Sequence, residues 1–248
     1  MTRDTMTRTA LALSCLLLLT ACAATRSVPV GQPNPRGSQG ADLIDESART
    51  LTEMRAATRQ QILDYALEDA CAVIILTGVY QAGFYYSVHG GSGVIVARRA
   101  DGSWSAPAFV GVGGAGFGLQ IGLEKQRLVL VVQEREMLEQ ILEGGLNFDA
   151  IAKYAVLNVR EEANRGSLTE RRPVTAFSDG VGLMIGVALR GAVLTLNEGL
   201  TQAYYGPDQG DARAVLRSAS APGMEVFKLW GALNVDLPRG QTGRADAR

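Results

Sequence analysis

The chain is short of the side chains that most catalysis and metal binding use. Its 248 residues hold one histidine, His89, three cysteines, Cys15, Cys22 and Cys71, and three lysines, Lys125, Lys153 and Lys228. If Cys15 leaves with a signal segment and Cys22 is acylated, His89 and Cys71 alone do not supply the four donors of a structural zinc site. A Ser-His-Asp relay would have to use His89; Ser92, between Gly91 and Gly93, lacks the G-x-S-x-G spacing and reads with it as part of a turn. No G-x-x-x-x-G-K-[ST] occurs, which excludes a P-loop. The formal net charge is −1, so nothing drives the chain as a whole onto nucleic acid, and no nucleic-acid partner is expected. No apolar run is long enough to cross a bilayer comfortably. Proline is scarce at 8 residues against 29 glycines, which favours glycine-rich strands and turns over rigid linkers.

Among what is present, the N-terminus stands out. Arg3 and Arg8 precede an apolar run, Ala10 to Leu19, which reads as the core of a secretory signal. The run closes on Leu19-Thr20-Ala21-Cys22. This box resembles the lipobox of bacterial lipoproteins. The resemblance implies cleavage before Cys22, acylation of its thiol and anchoring in membrane lipid. Ala23 in place of an aspartate then implies the outer membrane, with the domain facing the periplasm. The organisation expected is a signal peptide over 1–21, an acylated cysteine and flexible tether over 22–40, a folded domain over 41–237 and a disordered tail over 238–248. In such a mature chain Cys71 stands alone, as a small buried hydrophobe.

Periodicity predicts a helix from Asp42 to about Ala70, with Ile44, Leu51, Met54, Thr58, Ile62 and Tyr65 on one face. Its polar face carries more acid than base, which favours core packing over insertion into lipid. Val73–Leu76 reads as a short buried strand, and Ala82–Val88 as an alternating one. Gly90-Gly91 is expected to turn the chain into Gly93–Ala97, and Asp101-Gly102 to close a hairpin. Strands are expected over Trp104–Val112, Gly116–Leu123, Leu128–Val132, Ala150–Val159 and Val181–Leu196, with an exposed loop over Arg160–Pro173. Helices are expected at Glu134–Glu143, Glu198–Tyr205, Asp211–Ser218 and Gly223–Leu233. The fold class is α+β: a β-rich, curled antiparallel sheet, barrel- or sandwich-like, bracketed by N- and C-terminal helices.

Gly111-Val112-Gly113-Gly114-Ala115-Gly116 satisfies G-x-G-x-x-G, yet period-two alternation follows it where a dinucleotide site needs a helix, so no cofactor is expected. Glycines alternate with Phe117, Leu119, Ile121 and Leu123, and share their face with Gln120. Such a face either packs tightly on aromatics or lines a cavity.

Several blocks together resemble the SYLF domain family, over about Ser47 to Tyr205. They are Gly78-Val79-Tyr80-Gln81-Ala82-Gly83-Phe84, Gly90 to Val96, Trp104-Ser105-Ala106-Pro107-Ala108-Phe109, Gly113 to Gly122, Gly182 to Leu194 and Ala203-Tyr204-Tyr205-Gly206. The resemblance implies a non-enzymatic domain that binds lipid or a membrane surface, with a phospholipid as the possible ligand. The chain departs from the family at Ala176-Phe177-Ser178-Asp179-Gly180, where a basic pair is replaced by Asp179-Gly180 or lost. The residues assigned to lipid contact are Arg98, Arg99, Arg171 and Arg172 as a basic rim, with Tyr80, Phe84, Tyr86, Trp104 and Gln120 as lining, and Cys22 as the lipidation site. The alternative is a scaffolding lipoprotein that binds an envelope protein or peptidoglycan. An apolar pocket or coherent basic rim separates the first from the second, which needs only a filled core and an exposed patch.

Overall fold

A computed structural model of the chain describes residues 35–58, 61–83, 86–117, 122–151, 155–158, 172–179, 191–218 and 223–234. The elements are α1 (Pro35–Ala57), α2 (Ile62–Glu68), β1 (Ala72–Gly83), β2 (Tyr86–Ala97), β3 (Ala108–Phe117), β4 (Gly122–Val132), α3 (Arg135–Gly144), β5 (Leu146–Asn147), α4 (Phe148–Ile151), β6 (Ala155–Asn158), β7 (Val174–Ser178), β8 (Ala192–Leu196), α5 (Glu198–Tyr205), α6 (Ala212–Val215) and α7 (Met224–Leu233). The strands form one curled half-barrel sheet in the order β5-β8-β3-β2-β1-β4-β7-β6, flanked by N- and C-terminal helices. Every pairing is antiparallel except β6 with β7.

The runs Val73–Leu76, Val94–Ala97 and Leu128–Val132 are apolar without alternation because both faces of the sheet centre are covered. On one face Ile74, opposite Ile95 and Leu130, packs with Leu138 and Ile141 of α3 and with Val215 of α6. On the other, Ile75, opposite Val94 and Val129, packs under Ile44, Leu51 and Met54 of α1, Leu63 of α2 and Leu229 of α7. Burying one such side chain contributes about 1.5–3 kcal/mol.

The sheet differs from the sequence reading in several places. The strand expected over Trp104–Val112 begins only at Ala108, and that expected over Ala150–Val159 is reduced to Ala155–Asn158 after a helix that ends at Ile151. Val73–Leu76 and Ala82 belong to one strand, β1, which a bulge between Leu76 and Gly78 bends without breaking. Gly90-Gly91 is no turn: it sits inside β2, opposite Tyr80 and Val79. The backbones approach too closely for most side chains at neighbouring positions. A Cβ on Gly93 would lie 2.1 Å from the Ile75 carbonyl oxygen. Gly116–Leu123 is not one strand, because β3 ends at Phe117 and β4 begins at Gly122. Residues 174–178 form a further strand, β7, wholly buried against β4, which its single aromatic and two hydroxyl residues did not announce. Residues 160–171 and 181–190, the expected loop and most of the expected strand after it, lie outside the described residues, as does the glycine face of Gly118 and Gln120.

The long N-terminal helix is two helices. The first begins at Pro35, seven residues before the expected start; proline suits a first helical turn, where its missing N–H costs nothing. Gln61 has φ 56°, left-handed backbone that no continuous helix can pass. Arg55 holds the pieces together, its Nε donating to Asp64 Oδ1 at 2.6 Å and its Nη1 to the Ala232 carbonyl. Helix α5 spans the expected residues, with the Asn197 side chain accepting from Leu200 N at 3.0 Å.

The segment Trp104-Ser105-Ala106-Pro107 joins these parts. Ser105 N donates to the Ala97 carbonyl and Ala97 N to Ser105 Oγ, at 2.8 and 2.9 Å. Ala106 N donates to the Ser218 carbonyl, Trp230 Nε1 to the Ser105 carbonyl and Tyr205 Oη to the Pro107 carbonyl. One extended segment thus links β2, the end of α6, α7 and α5.

Two predictions follow from this packing. Gly93→Ala should destabilise the domain by more than about 2 kcal/mol in urea unfolding, because backbone must move. Gly90→Ala and Gly113→Ala, where an added methyl meets nothing within 4 Å, should be neutral or stabilise by up to about 1 kcal/mol. The second concerns pH. Tyr204 and Tyr205 are held well above the ordinary phenol value of 10.0, chiefly by burial, with Glu225 adding to both. A raised folded pKa gives stability that is complete below pH about 10 and is lost as pH climbs beyond it. Tyrosinate absorbance should therefore show two phenols that ionise only with unfolding, and the alkaline fall in melting temperature should be shallower for Tyr205→Phe.

Candidate functional site: an arginine-lined cleft

Where β2 ends, the chain turns through Arg98–Ser103, with Gly102 at φ +82° and Arg99 N donating to the Ser103 carbonyl at 2.8 Å. This turn, helix α3 and the stretch from α6 to Arg217 enclose a cleft of about 700 Å3. Five arginines line it, Arg98, Arg99, Arg135, Arg213 and Arg217, against two acids, Asp101 and Glu139. Its floor is apolar, from Ala97, Leu138, Leu142 and Leu216. The size is that of a ligand site.

The arginines have different tasks. Arg98 lies over the Trp104 ring at 4.2 Å and donates to three carbonyls: Nε to Ala70 at 2.9 Å, Nη2 to Leu67 at 2.9 Å and Nη1 to Gly102 at 3.2 Å. The Leu67 and Ala70 carbonyls end helix α2, where a cation is favoured. Burial lowers the Arg98 pKa, with Asp69 opposing. Arg98 is therefore a clamp. Arg99 is partly engaged, through Nη1 to Ser103 Oγ at 3.0 Å and an ion pair with Asp101 at 3.3 Å. Arg135, Arg213 and Arg217 are exposed. Arg135 reaches the Arg98 carbonyl at 3.4 Å and Arg213 the Leu142 carbonyl at 2.9 Å. Among the described residues no acid pairs with any of these three.

The structure brings few of the expected contact residues together. Arg98 and Arg99 are at the cleft. Trp104 is buried beneath Arg98 with 5% exposure and lines nothing. Tyr80 is half-exposed beside Lys125, opposite Gly90 on β2, roughly 25 Å along the strand from Arg98. Tyr86 is placed by its backbone at the start of β2, opposite Phe117. Arg172 is half-buried just before β7. Cys22, Phe84, Gln120 and Arg171 lie outside the described residues. No single rim of the assigned arginines and aromatics is formed by the described residues.

The other singled-out residues have structural homes. His89 is buried inside β2 rather than in a turn. Three residues apart on a strand, His89 and Ser92 point to opposite faces and cannot form a base–nucleophile pair. Gly111 to Gly116 all lie within β3, so they open no helix for a dinucleotide. Cys71 is half-buried, its Sγ 3.2 Å from the Val132 carbonyl, and burial pushes its pKa up. Asp179, which marked the lost basic pair, is matched to Arg127: it accepts from Arg127 N at 2.9 Å and Nε at 2.6 Å, while Glu53 takes the same guanidinium. The sequence reading missed Arg135, Arg213 and Arg217, which stand in two helical segments far apart in the chain. Only their position beside Arg98-Arg99 gives them meaning.

The division of labour is testable. Arg98→Met should lower stability by about 2–4 kcal/mol in urea unfolding, through the lost charged hydrogen bonds and ring contact. Arg217→Met should stay within about 0.5 kcal/mol of the parent, as an exposed substitution.

Residues 113–235 match the family described as Ysc84, the Las17-binding protein actin regulator. The human SH3 domain-containing YSC84-like protein 1 is 30% identical over 183 residues, 71% of this chain and 53% of the relative. The SH3 domain-containing protein PJ696.02 of Schizosaccharomyces pombe is 33% identical over 186 residues, 71% of this chain and 42% of the relative. Protein YSC84 of Saccharomyces cerevisiae is 34% identical over 151 residues, 59% of this chain and 32% of the relative. The chain thus spans about half or less of the length of these relatives.

These findings correct the reading of the N-terminus. The relatives are eukaryotic SH3-domain and Ysc84 proteins, and none is named as a lipoprotein. They overturn the envelope lipoprotein with its signal peptide, its acylated Cys22, its outer-membrane and periplasmic placement, and its partners in membrane phospholipid, envelope protein or peptidoglycan. That reading rested on Arg3 and Arg8, the apolar run Ala10–Leu19 and the box Leu19–Cys22, against similarity covering 71% of the chain. Among the described residues no helix is long and apolar enough to cross a membrane. The names and family description carry binding and regulation and no reaction. The comparisons support the SYLF/Ysc84 domain family for this chain, in the company of eukaryotic SH3-domain relatives and not of bacterial lipoproteins.

Proposed function

We propose that this chain is a non-catalytic protein-binding domain of actin-regulatory type, and that its partner docks in the arginine-lined cleft. The family description, a Las17-binding actin regulator, and relatives such as LAS seventeen-binding protein 3 of Saccharomyces cerevisiae suggest the class of partner. One observation carries the docking site. Five arginines and two acids meet over an apolar floor in a chain whose net charge is −1. Such a concentration of one sign in a concave surface raises the local concentration of an oppositely charged partner and orients it. Residues 41–237 are the unit to which we assign this binding.

The experiment is a pull-down of purified Las17 and a co-sedimentation with actin filaments, both with the purified full chain. Retention of either at micromolar concentration, reduced at least tenfold by Arg213→Glu with Arg217→Glu, is the expected result. Retention of neither overturns the reading; retention unaffected by the double variant moves the partner off the cleft.

A further inference from the structure

We infer that the cleft takes an acidic peptide segment carrying interspersed large apolar side chains, and that Arg135, Arg213 and Arg217 contact its carboxylates. This deepens the protein-binding reading and rests on it.

Three features of the cleft point to that ligand. First, the three guanidinium groups come from two separate elements. Arg135 stands at the start of α3, whereas Arg213 and Arg217 belong to α6 and the turn after it. All three are exposed and no described acid neutralises them. A guanidinium forks onto a carboxylate with two parallel hydrogen bonds, so three of them read three separated carboxylates better than one compact anion. Second, the floor between them is Leu138, Leu142 and Leu216. Leu138 and Leu216 are themselves only 2% and 4% exposed, so the apolar surface on offer is the half-buried Leu142 with the methylene stems of the arginines. A small inorganic anion would leave that surface wet, whereas a peptide with leucine or phenylalanine between its acids would cover it. Third, among the described residues no aromatic side chain lines the cleft, so it lacks the aromatic platform on which single-stranded nucleic acids stack their bases.

The walls are preset. Arg98 fixes the turn by its bonds to the Leu67, Ala70 and Gly102 carbonyls. Asp101 is drawn away from the opening by Arg99 and by Ser103, whose backbone N and Oγ both donate to its Oδ1. Glu139 is the only lining acid without such a partner among the described residues, and it sits one helical turn beyond Arg135 on the same face. Glu139 holds no ion pair with Arg135, but its charge repels an incoming carboxylate at that end of the cleft, so Glu139→Gln should tighten binding.

The test is fluorescence anisotropy of the full chain with four labelled 12-residue probes: Glu alternating with Leu and Phe, Glu alternating with Ser, Lys alternating with Leu and Phe, and a single-stranded RNA of equal length. The expected result is micromolar binding of the first probe alone. That affinity should fall at least tenfold in the Arg213→Glu/Arg217→Glu variant and between 50 and about 200 mM salt. It should rise severalfold in Glu139→Gln, and survive in Arg213→Lys/Arg217→Lys to within about fivefold. Thermal unfolding of each variant, matched to the parent, keeps a folding defect from passing for a binding one. Equal binding of the Glu-Ser probe removes the floor from recognition and overturns the proposal, as does tighter binding of RNA or of the basic probe. Loss of every acidic probe while Las17 or actin is still retained overturns the cleft assignment and leaves the protein-binding function standing. Binding of the first probe without retention of Las17 or actin does the reverse.

Discussion

The buried segment Trp104–Pro107 is the constraint on which the arrangement of the helices depends. It makes no strand pairing beyond the single bridge of Trp104 with Arg98, yet its backbone polar groups are used by four other elements. A buried loop normally carries unsatisfied amides and carbonyls, each costing about 1–3 kcal/mol. Here the Ser105 and Pro107 carbonyls accept from Trp230 and Tyr205, and the Ala106 amide donates to Ser218. The C-terminal helices are thereby fixed to the end of β2. The turn 98–103 leaves from that same point, so the cleft inherits its geometry from the buried segment.

The two-sided core sets what remains for function. Helices α1, α2, α5 and α7 cover one face of the sheet centre, and α3 with α6 the other. An apolar cavity inside the sheet centre is excluded where Ile74, Ile75, Leu130 and Val129 are all fully buried and packed. Binding capacity therefore falls to the seams between helices and turns. One charged seam lies between α3, α6 and the turn after β2. A second one, where Glu46, Arg49, Glu53, Lys125, Arg127 and Asp179 meet, is already matched: Arg127 is shared by Glu53 and Asp179, and Lys125 lies 3.9 Å from Glu46. Matched charges hold α1 against the sheet; unmatched ones at the first seam are available to a partner.

What the sequence made legible was local. The α+β class and the curled antiparallel sheet followed from apolar runs and turns, and the end of Glu198–Tyr205 from the stop at Gly206-Pro207. Where tertiary packing decided, sequence pattern misled. Gly90-Gly91 reads as a turn because glycine usually marks one, yet it lies within β2, where Gly91, like Gly93, sits too close to the β1 backbone for a side chain while Gly90 faces open space. The break near Gln61 depends on one positive φ that no helix-propensity argument reveals. The same limit applied to the site. Arg98 and Arg99 are neighbours in sequence and differ wholly in role, one spent on carbonyls and the other beside the opening. Arg135, Arg213 and Arg217 are separated by up to 82 positions and become a set only when β2, α3 and α6 are brought to one edge. Trp104 looked like ligand lining because aromatics often are; its actual neighbour is a cation of the same chain.

A clamp such as Arg98 also bears on how the cleft could select a partner. A guanidinium fully engaged with carbonyls cannot swing toward an arriving carboxylate without exposing the end of α2, so its charge acts at a distance and not by contact. The exposed arginines are the opposite case: in water each long side chain samples many rotamers, and immobilising one costs about 0.5–1.5 kcal/mol. Affinity from charge alone would then be modest and strongly screened by salt. The apolar surface changes that balance, since covering the half-buried Leu142 and the arginine methylene stems gains about 25 cal/mol per Å2 independent of ionic strength. Selectivity for a segment bearing both kinds of group follows from the two contributions acting together, because neither the charge nor the floor suffices alone.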